Sequence, residues 1–269
     1  MAGEVARTLA DIARAEILPR FTRLEAAEVR SKTGPHDLVT VVDEAVERAV
    51  GSSLARLFPG IPVVGEEAAS AHPGLLAGIG SAEFVFVCDP LDGTANFAAG
   101  LPLFGTMLAL IRRGEPVAAW IHDPIRGDTA IALRGEGAWV EDEEGNRRDL
   151  RVAPAVPLGR MAAVISHRML PAERAALVRP RLGLFGAGWE LRCAAQEWRL
   201  GASGRVHALF YWRLLPWDHA PGSLIFAEAG GFVRRLDGAP YHAGVHAGGL
   251  LAAPDQESWE AVRSALFER

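Results

Sequence analysis

The chain has 269 residues, 49% hydrophobic and 23% charged, with a formal net charge of -5. That is enough chain for one large domain or two joined lobes with a buried core, and an acidic balance without any dense Lys/Arg run offers no footprint for a nucleic acid polymer or a membrane surface. The N-terminus lacks a basic segment leading into an apolar core, and no stretch of about 18 apolar residues runs without a charge, so a cytoplasmic address is expected.

Val5, Leu9, Ile12 and Leu18 fall at helical spacing, which predicts an amphipathic helix over residues 3–20 that stops near Pro19. Gly34 and Pro35 mark a turn. Beyond it, Val46, Ala49, Val50, Leu54 and Leu57 share one face of a second helix, for which Asp43 is placed as N-cap. Residues 61–65 read as a short strand ending in Glu66 and Glu67. Residues 84–87 are a continuous apolar run, the pattern of a covered strand, and Asp89 and Asp92 follow its C-terminal end.

Apolar runs at 104–111, 116–123, 129–134 and 137–142 are separated by short connections bearing glycine and charge, which predicts an antiparallel meander. Residues 141–149 form the next exposed turn. From Met161 the texture changes: strands are expected at 161–166, 182–186 and 206–212, with helices at 171–179 and 191–203. A boundary near residue 151 divides the chain into lobes 1–150 and 151–269. Asp218 stands at the start of a helix that ends at Gly230 and Gly231, again where an N-cap would sit. Two strands and a helix over 255–267 close the chain. Cys88 reads as a small buried hydrophobe, and no zinc site is expected at His242 and His246, whose loop has no helical pattern.

The chemistry concentrates at residues 89–94. Two carboxylates three residues apart, with Pro90 fixing one backbone angle and Gly93 freeing another, aim several oxygens at one point. A hard cation such as magnesium takes oxygen ligands of this kind and shares them with a phosphate. The backbone N–H groups of Gly93, Thr94 and Ala95 are available for that phosphate. Taken singly, Asp43, Asp89, Asp92 and Asp218 have ordinary readings as turn or cap residues, and Lys32 as a solvated lysine. Glu66 shifts the weight, because it adds a second strand-end acid cluster within about thirty residues.

Together, G-E-E at 65–67, D-P-L-D-G-T-A-N-F at 89–97 and W-D-H-A-P-G at 217–222 resemble the signature segments of the inositol monophosphatase family. D-L-V-T-V-V-D at 37–43, with Lys32 ahead of it, is similar to the family's N-terminal segment. The resemblance implies an α+β fold of layered α-β-α-β-α architecture, with a large antiparallel sheet in the N-terminal lobe and a smaller mixed sheet in the C-terminal lobe. It implies a homodimeric, Mg²⁺-dependent phosphomonoesterase with two or three ions per site, acting on a small phosphorylated substrate. By position, Glu66, Asp89 and the Leu91 carbonyl would bind one ion, and Asp89, Asp92 and Asp218 a second; Glu66 would also serve a third. Gly93 and Thr94 would hold the phosphate, Thr94 and Asp43 would orient the attacking water, and Lys32 would lie in the outer electrostatic shell. Asp92, Ala194, Tyr211 and Asp218 would meet the substrate.

Tyr211 stands where inositol-specific members carry a glutamate that pairs two ring hydroxyls, and a phenol does not reproduce both bonds. Arg192, Gln196 and Glu197 replace small or apolar residues around Ala194, and Arg213 and His219 either face a second anionic group or lie on the surface. Histidinol phosphate, a 3′-phosphoadenosine nucleotide and a sugar phosphate are therefore alternative substrates. A metal-binding regulatory protein with little turnover is the alternative from another class.

Overall fold

A computed structural model describes residues 1–34 and 37–268, so the turn expected at Gly34 and Pro35 falls partly on a residue outside the described ones. The N-terminal half contains α1 (Ala2–Ile12), the hairpin β1 (Val29–Gly34) and β2 (Asp37–Thr40), α2 (Val41–Leu57), β3 (Val63–Gly65), α3 (Glu66–Ala71), α4 (Leu76–Ile79), β4 (Val85–Asp92) and α5 (Thr94–Ala98). A meander follows: β5 (Gly105–Arg112), β6 (Glu115–Asp123), β7 (Asp128–Leu133), β8 (Gly137–Asp142) and β9 (Arg147–Asp149). The remainder is β10 (Ala162–Ile165), α6 (Ala172–Val178), β11 (Ala187–Trp189), α7 (Ala194–Ala202), β12 (Ala208–Arg213), α8 (Pro216–Glu228), β13 (Phe232–Arg235), β14 (Ala247–Ala253) and α9 (Gln256–Phe267).

Side-chain alternation along the strands builds five layers, because successive residues of a strand face opposite sides of its sheet. On β4, Phe86 and Cys88 join Val5 and Leu9 of α1 and Val42, Val46, Val50 and Leu54 of α2 in one core. Val85 and Val87 face the other way, into a second core shared with Trp198 of α7, Leu224 and Ile225 of α8, and Leu209 and Leu250 of the smaller sheet. Phe210 and Leu251 point away from that core and pack with Val178 of α6 and Trp259 and Val262 of α9. Each fully buried side chain of this size contributes about 1.5–3 kcal/mol. Helices, large sheet, helices, small sheet, helices is the α+β layering that the family resemblance implies.

The large sheet runs β3-β4-β5-β6-β7-β8-β9 and the small one β11-β10-β12-β14-β13. The large sheet is antiparallel except at one edge, where β3 pairs parallel with β4. The small sheet is mixed, with β11, β10 and β12 parallel and β14 antiparallel to its neighbours.

Several local readings are corrected. The first helix is regular only to Ile12; a π turn over Ala13–Ile17 and a 3-10 turn over Leu18–Arg20 carry the chain past Pro19, which cannot donate to a continuing ladder. The strand expected at 182–186 is displaced: Arg179–Leu184 forms a 3-10 helix, with Pro180 in its first turn where a missing N–H is harmless, and β11 starts at Ala187. The exposed turn at 141–149 includes a short edge strand, β9. Cys193 precedes α7 as its N-cap residue and is not inside the helix.

Candidate metal and phosphate site

The site forms where β4 ends and α3, α5, α7 and α8 begin. Strand β4 continues through Asp89 to Asp92, beyond the apolar run, and its pairing with β5 becomes irregular between those two residues. The irregularity lets Asp89, Leu91 and Asp92 depart from strict alternation. The Asp89 side chain accepts the Leu91 N–H at 3.0 Å, and Thr106 donates to the Pro90 carbonyl at 2.9 Å, which fixes this bend. Gly93 then turns the chain into α5 with φ of +88°, and a Cβ there would meet the Leu103 carbonyl at 2.6 Å. Only glycine satisfies both demands.

Glu66 is the first residue of α3, and this helix start is held from behind. The Glu47 carboxylate on α2 accepts the N–H groups of Glu67 at 2.8 Å and Ala68 at 2.9 Å. Gly65 makes room for it, since a Cβ there would lie 2.1 Å from Glu47. Asp218 lies in the first turn of α8, after Pro216; it does not cap the helix, contrary to the N-cap reading.

Oxygens of Glu66, Asp89 and Asp218 all lie within 4.8 Å of one another. Burial, followed by the neighbouring carboxylates, raises the Asp89 and Asp218 pKa values well above the usual range. A partly buried group of acids in which Asp89 and Asp218 resist ionising, and which offers only oxygen donors, fits a hard divalent cation.

Asp92 is in electrostatic contact with this trio but turns elsewhere. Its Oδ2 accepts the Ala195 N–H at 2.6 Å and the Cys193 thiol at 3.1 Å, at the N-terminus of α7. Burial raises its pKa to about 6 against these hydrogen bonds. Lys32 enters from β1, with Nζ 2.8 Å from Glu66 Oε1 and 2.6 Å from Glu67 Oε1. Burial alone would lower the lysine pKa, but the two carboxylates reverse the shift and raise it. Lys32 therefore reaches the trio through the Glu66 carboxylate, as a neighbour of a candidate ligand.

Asp43 is not the N-cap of α2. Thr40 is, and Asp43 completes a capping box, its Oδ2 taking the Thr40 N–H at 2.8 Å and hydroxyl at 2.6 Å. Its other oxygen, Oδ1, lies 3.0 Å from Thr94 Oγ1, which is equally 3.0 Å from the Leu91 carbonyl. Burial lifts the Asp43 pKa to about 6, with the Thr40 bonds pulling the other way.

Glu66, Asp89, Asp92, Asp218, Leu91, Gly93, Thr94, Asp43 and Lys32 are thus linked around the end of β4, and Ala194 is the first residue of α7, between the Cys193 and Ala195 groups that bond Asp92. Tyr211 is close but not at the surface: its hydroxyl is buried without a hydrogen-bond partner of good geometry, and its ring stacks 4.5 Å from His219 and 5.3 Å from Trp198. His219 is buried too, its pKa lowered by burial to about 3, so it does not face an anion. Arg213 remains exposed, and its charge reaches Asp218. Sequence reasoning missed Glu47, Cys193 and Asn96 as supports of the site. Asn96 donates to the carbonyls of Leu103 at 2.9 Å and Leu191 at 2.8 Å, tying α5 to the approach of α7. It stands inside the D-P-L-D-G-T-A-N-F segment, and that was the one available signal.

The fold is a five-layered α+β architecture that gathers three remote acids beside a glycine-led helix start. The chain belongs to the Inositol monophosphatase family, whose sequence profile matches residues 3–268. It is 33% identical to the Nus factor SuhB of Xylella fastidiosa over 229 residues, 83% of this chain and 78% of the relative. It is 30% identical to the fructose-1,6-bisphosphatase/inositol-1-monophosphatase of Thermotoga maritima over 219 residues, covering 80% and 78% of the two chains. Among solved structures, the Thermotoga maritima IMPase superposes with a TM-score of 0.81 at 24% identity, covering 99% of this chain and 96% of that one.

Proposed function

We propose that the protein hydrolyses a small phosphomonoester to an alcohol and inorganic phosphate, with Mg²⁺ held by Glu66, Asp89, Asp92, Asp218 and the Leu91 carbonyl. The observation that carries this reading is the convergence of Glu66, Asp89 and Asp218 oxygens within 4.8 Å, beside the Thr94–Asp43 contact. When bound, magnesium supplies charge neutralisation for the phosphate and acidifies water. The chain's own residues do the positioning. The N–H groups at the start of α5 face the phosphoryl oxygens, and Gly93 keeps that approach free of a side chain. Thr94, oriented by Asp43, takes a proton from the attacking water through its hydroxyl, and Asp43, already lifted to about 6, is a suitable acceptor behind it. Asp218, on the first turn of α8, would stand on the leaving-group side. Lys32 limits repulsion between Glu66 and the incoming dianion.

In this reading residues 1–150 supply the phosphate contacts and every metal contact but that of Asp218, and residues 151–269 meet the rest of the substrate through Ala194, Asp218 and the wall backed by Tyr211. A buried phenol in place of a hydroxyl-pairing acid disfavours strict inositol specificity and leaves sugar, histidinol and nucleotide phosphates in the field. The bifunctional Thermotoga relative supports a sugar phosphate. Leu184 and Trp189 are exposed at the edge of the small sheet, which supports a homodimer. Two free, buried thiols suit a reducing cytoplasm, and among the described residues no helix is long and apolar enough to cross a membrane.

The test is phosphate release from p-nitrophenyl phosphate and from a panel of inositol, sugar, histidinol and nucleotide phosphates, with and without Mg²⁺. Metal-dependent turnover on one panel member is expected. Metal binding without turnover on any of them would favour the regulatory reading, which the Nus factor relatives motivate.

A further inference from the structure

Positive charge collects in one place away from the acid cluster. A groove of about 220 Å³ opens between the β6–β7 turn, the β8–β9 hairpin and the later turns of α7. Arg126, Arg148, Arg199 and Arg205 line it together with Gln196 and Ser203, and among the described residues no carboxylate does. In a chain whose formal charge is -5, four arginines around one small opening are not a reflection of composition.

The four guanidiniums are not equivalent. Arg199 is buried and fixed, donating to the Ile121 carbonyl at 3.0 Å and pairing with Asp128. Arg126 sits 3.4 Å from the same carboxylate, which thereby spends its charge on two arginines behind the groove. Arg148 on β9 and Arg205 after α7 are exposed, and among the described residues their side chains have no hydrogen-bond, ionic or ring partner. The groove therefore presents two uncommitted forks at its rim over a pinned cation. A guanidinium fork matches phosphoryl oxygens two at a time, and the modest volume suits a small ligand.

We propose that this groove is a second, non-catalytic anion site that takes a small phosphorylated ligand. It lies along the flank of α7, whereas the catalytic acids meet that helix only at its N-terminus, where Ala195 holds Asp92. The assignment stands whether or not the acid cluster is a phosphatase site.

The test is isothermal titration calorimetry of the full chain with inorganic pyrophosphate in EDTA, where the metal-free acid cluster repels anions. One site with Kd tighter than about 1 mM is expected. The Arg148→Ala/Arg205→Ala double variant should weaken it at least about tenfold while its melting temperature stays unchanged, since neither side chain holds the fold. Asp92→Asn should leave it as it is. No binding, equal binding by the double variant, or loss of binding in Asp92→Asn overturns the proposal. Glycerol 3-phosphate binding more tightly than inorganic phosphate supports an organic phosphate as the ligand; equal affinities support recognition of the phosphoryl group alone. A single-stranded RNA that binds through Arg148 and Arg205 and resists displacement by pyrophosphate overturns the small-ligand assignment.

Discussion

Asp89→Asn separates the stability of the acid cluster from its use. The substitution keeps the shape of the side chain and keeps Oδ1 as an acceptor for the Leu91 N–H. It removes one of three charges whose oxygens lie within 4.8 Å. At an effective dielectric of about 20, two full charges at that separation repel by about 3.5 kcal/mol. Proton uptake relieves part of this, because burial and the neighbouring carboxylates raise the Asp89 pKa. A net gain of about 1–2 kcal/mol is therefore expected for the metal-free variant, an upward shift of roughly 2–8 °C in melting temperature for a chain of this size.

The sign with pH follows from the same shift. A carboxyl whose folded pKa is raised binds its proton more tightly in the folded state, so its contribution is fully favourable below the unfolded value of about 3.9 and is lost as pH rises. The advantage of Asp89→Asn in EDTA should accordingly be larger at about pH 8 than at about pH 5. With Mg²⁺ the order reverses: the parent protein gains about 2.7 kcal/mol at a hundredfold excess over Kd, whereas the variant gains little. Differential scanning fluorimetry with EDTA and with Mg²⁺ reads both arms. A variant that melts lower than the parent in EDTA, or gains as much from Mg²⁺, would refute the reasoning.

Two further substitutions probe the surrounding charges. Lys32→Met strands Glu66 and Glu67 beside each other in a partly buried setting, and should cost about 3 kcal/mol in urea denaturation of the metal-free protein, near the lower bound for breaking a buried pair; a cost below about 0.5 kcal/mol would show that solvent screens the bridge. Glu197→Gln addresses a carboxyl that burial raises to about 7 and that accepts the Leu191 N–H at 2.9 Å. Because that folded pKa exceeds the unfolded value, the stability it supports is lost between about pH 4 and pH 7, and the glutamine should stabilise the protein by up to about 3 kcal/mol at pH 8 with no gain at pH 4. Equal pH slopes for variant and parent in guanidinium titrations would contradict this.

The layered fold was legible where one element's burial shows in its own spacing. Phe86 and Cys88 alternate with Val85 and Val87 because both faces of β4 are covered, and that produces a continuous apolar run. The four central runs of the meander are separated by turn residues within a few positions, so their antiparallel pairing is a local property. The displaced β11 was not legible: its three residues are exposed at a sheet edge, and a strand that buries little leaves no periodic trace. The irregular finish of α1 arises from Pro19 acting back on the preceding turns.

The acids of the site were legible only in combination, through the three motifs that carry them. Carboxylates at strand ends and helix starts are cheap to place there as turn and cap residues, so each one taken singly signals nothing. Asp43 shows the two uses combined, one oxygen completing the capping box with Thr40 and the other meeting Thr94. What distance along the chain concealed were the counter-groups. Lys32 reaches Glu66 across 34 residues, and Cys193 and Ala195 reach Asp92 across more than a hundred. A close set of like charges holds its geometry only if donors from other elements fix each carboxylate in turn. The layering therefore serves the site directly: it brings the start of α7 and the side chain of Lys32 to acids that would otherwise drive the ends of β4, α3 and α8 apart.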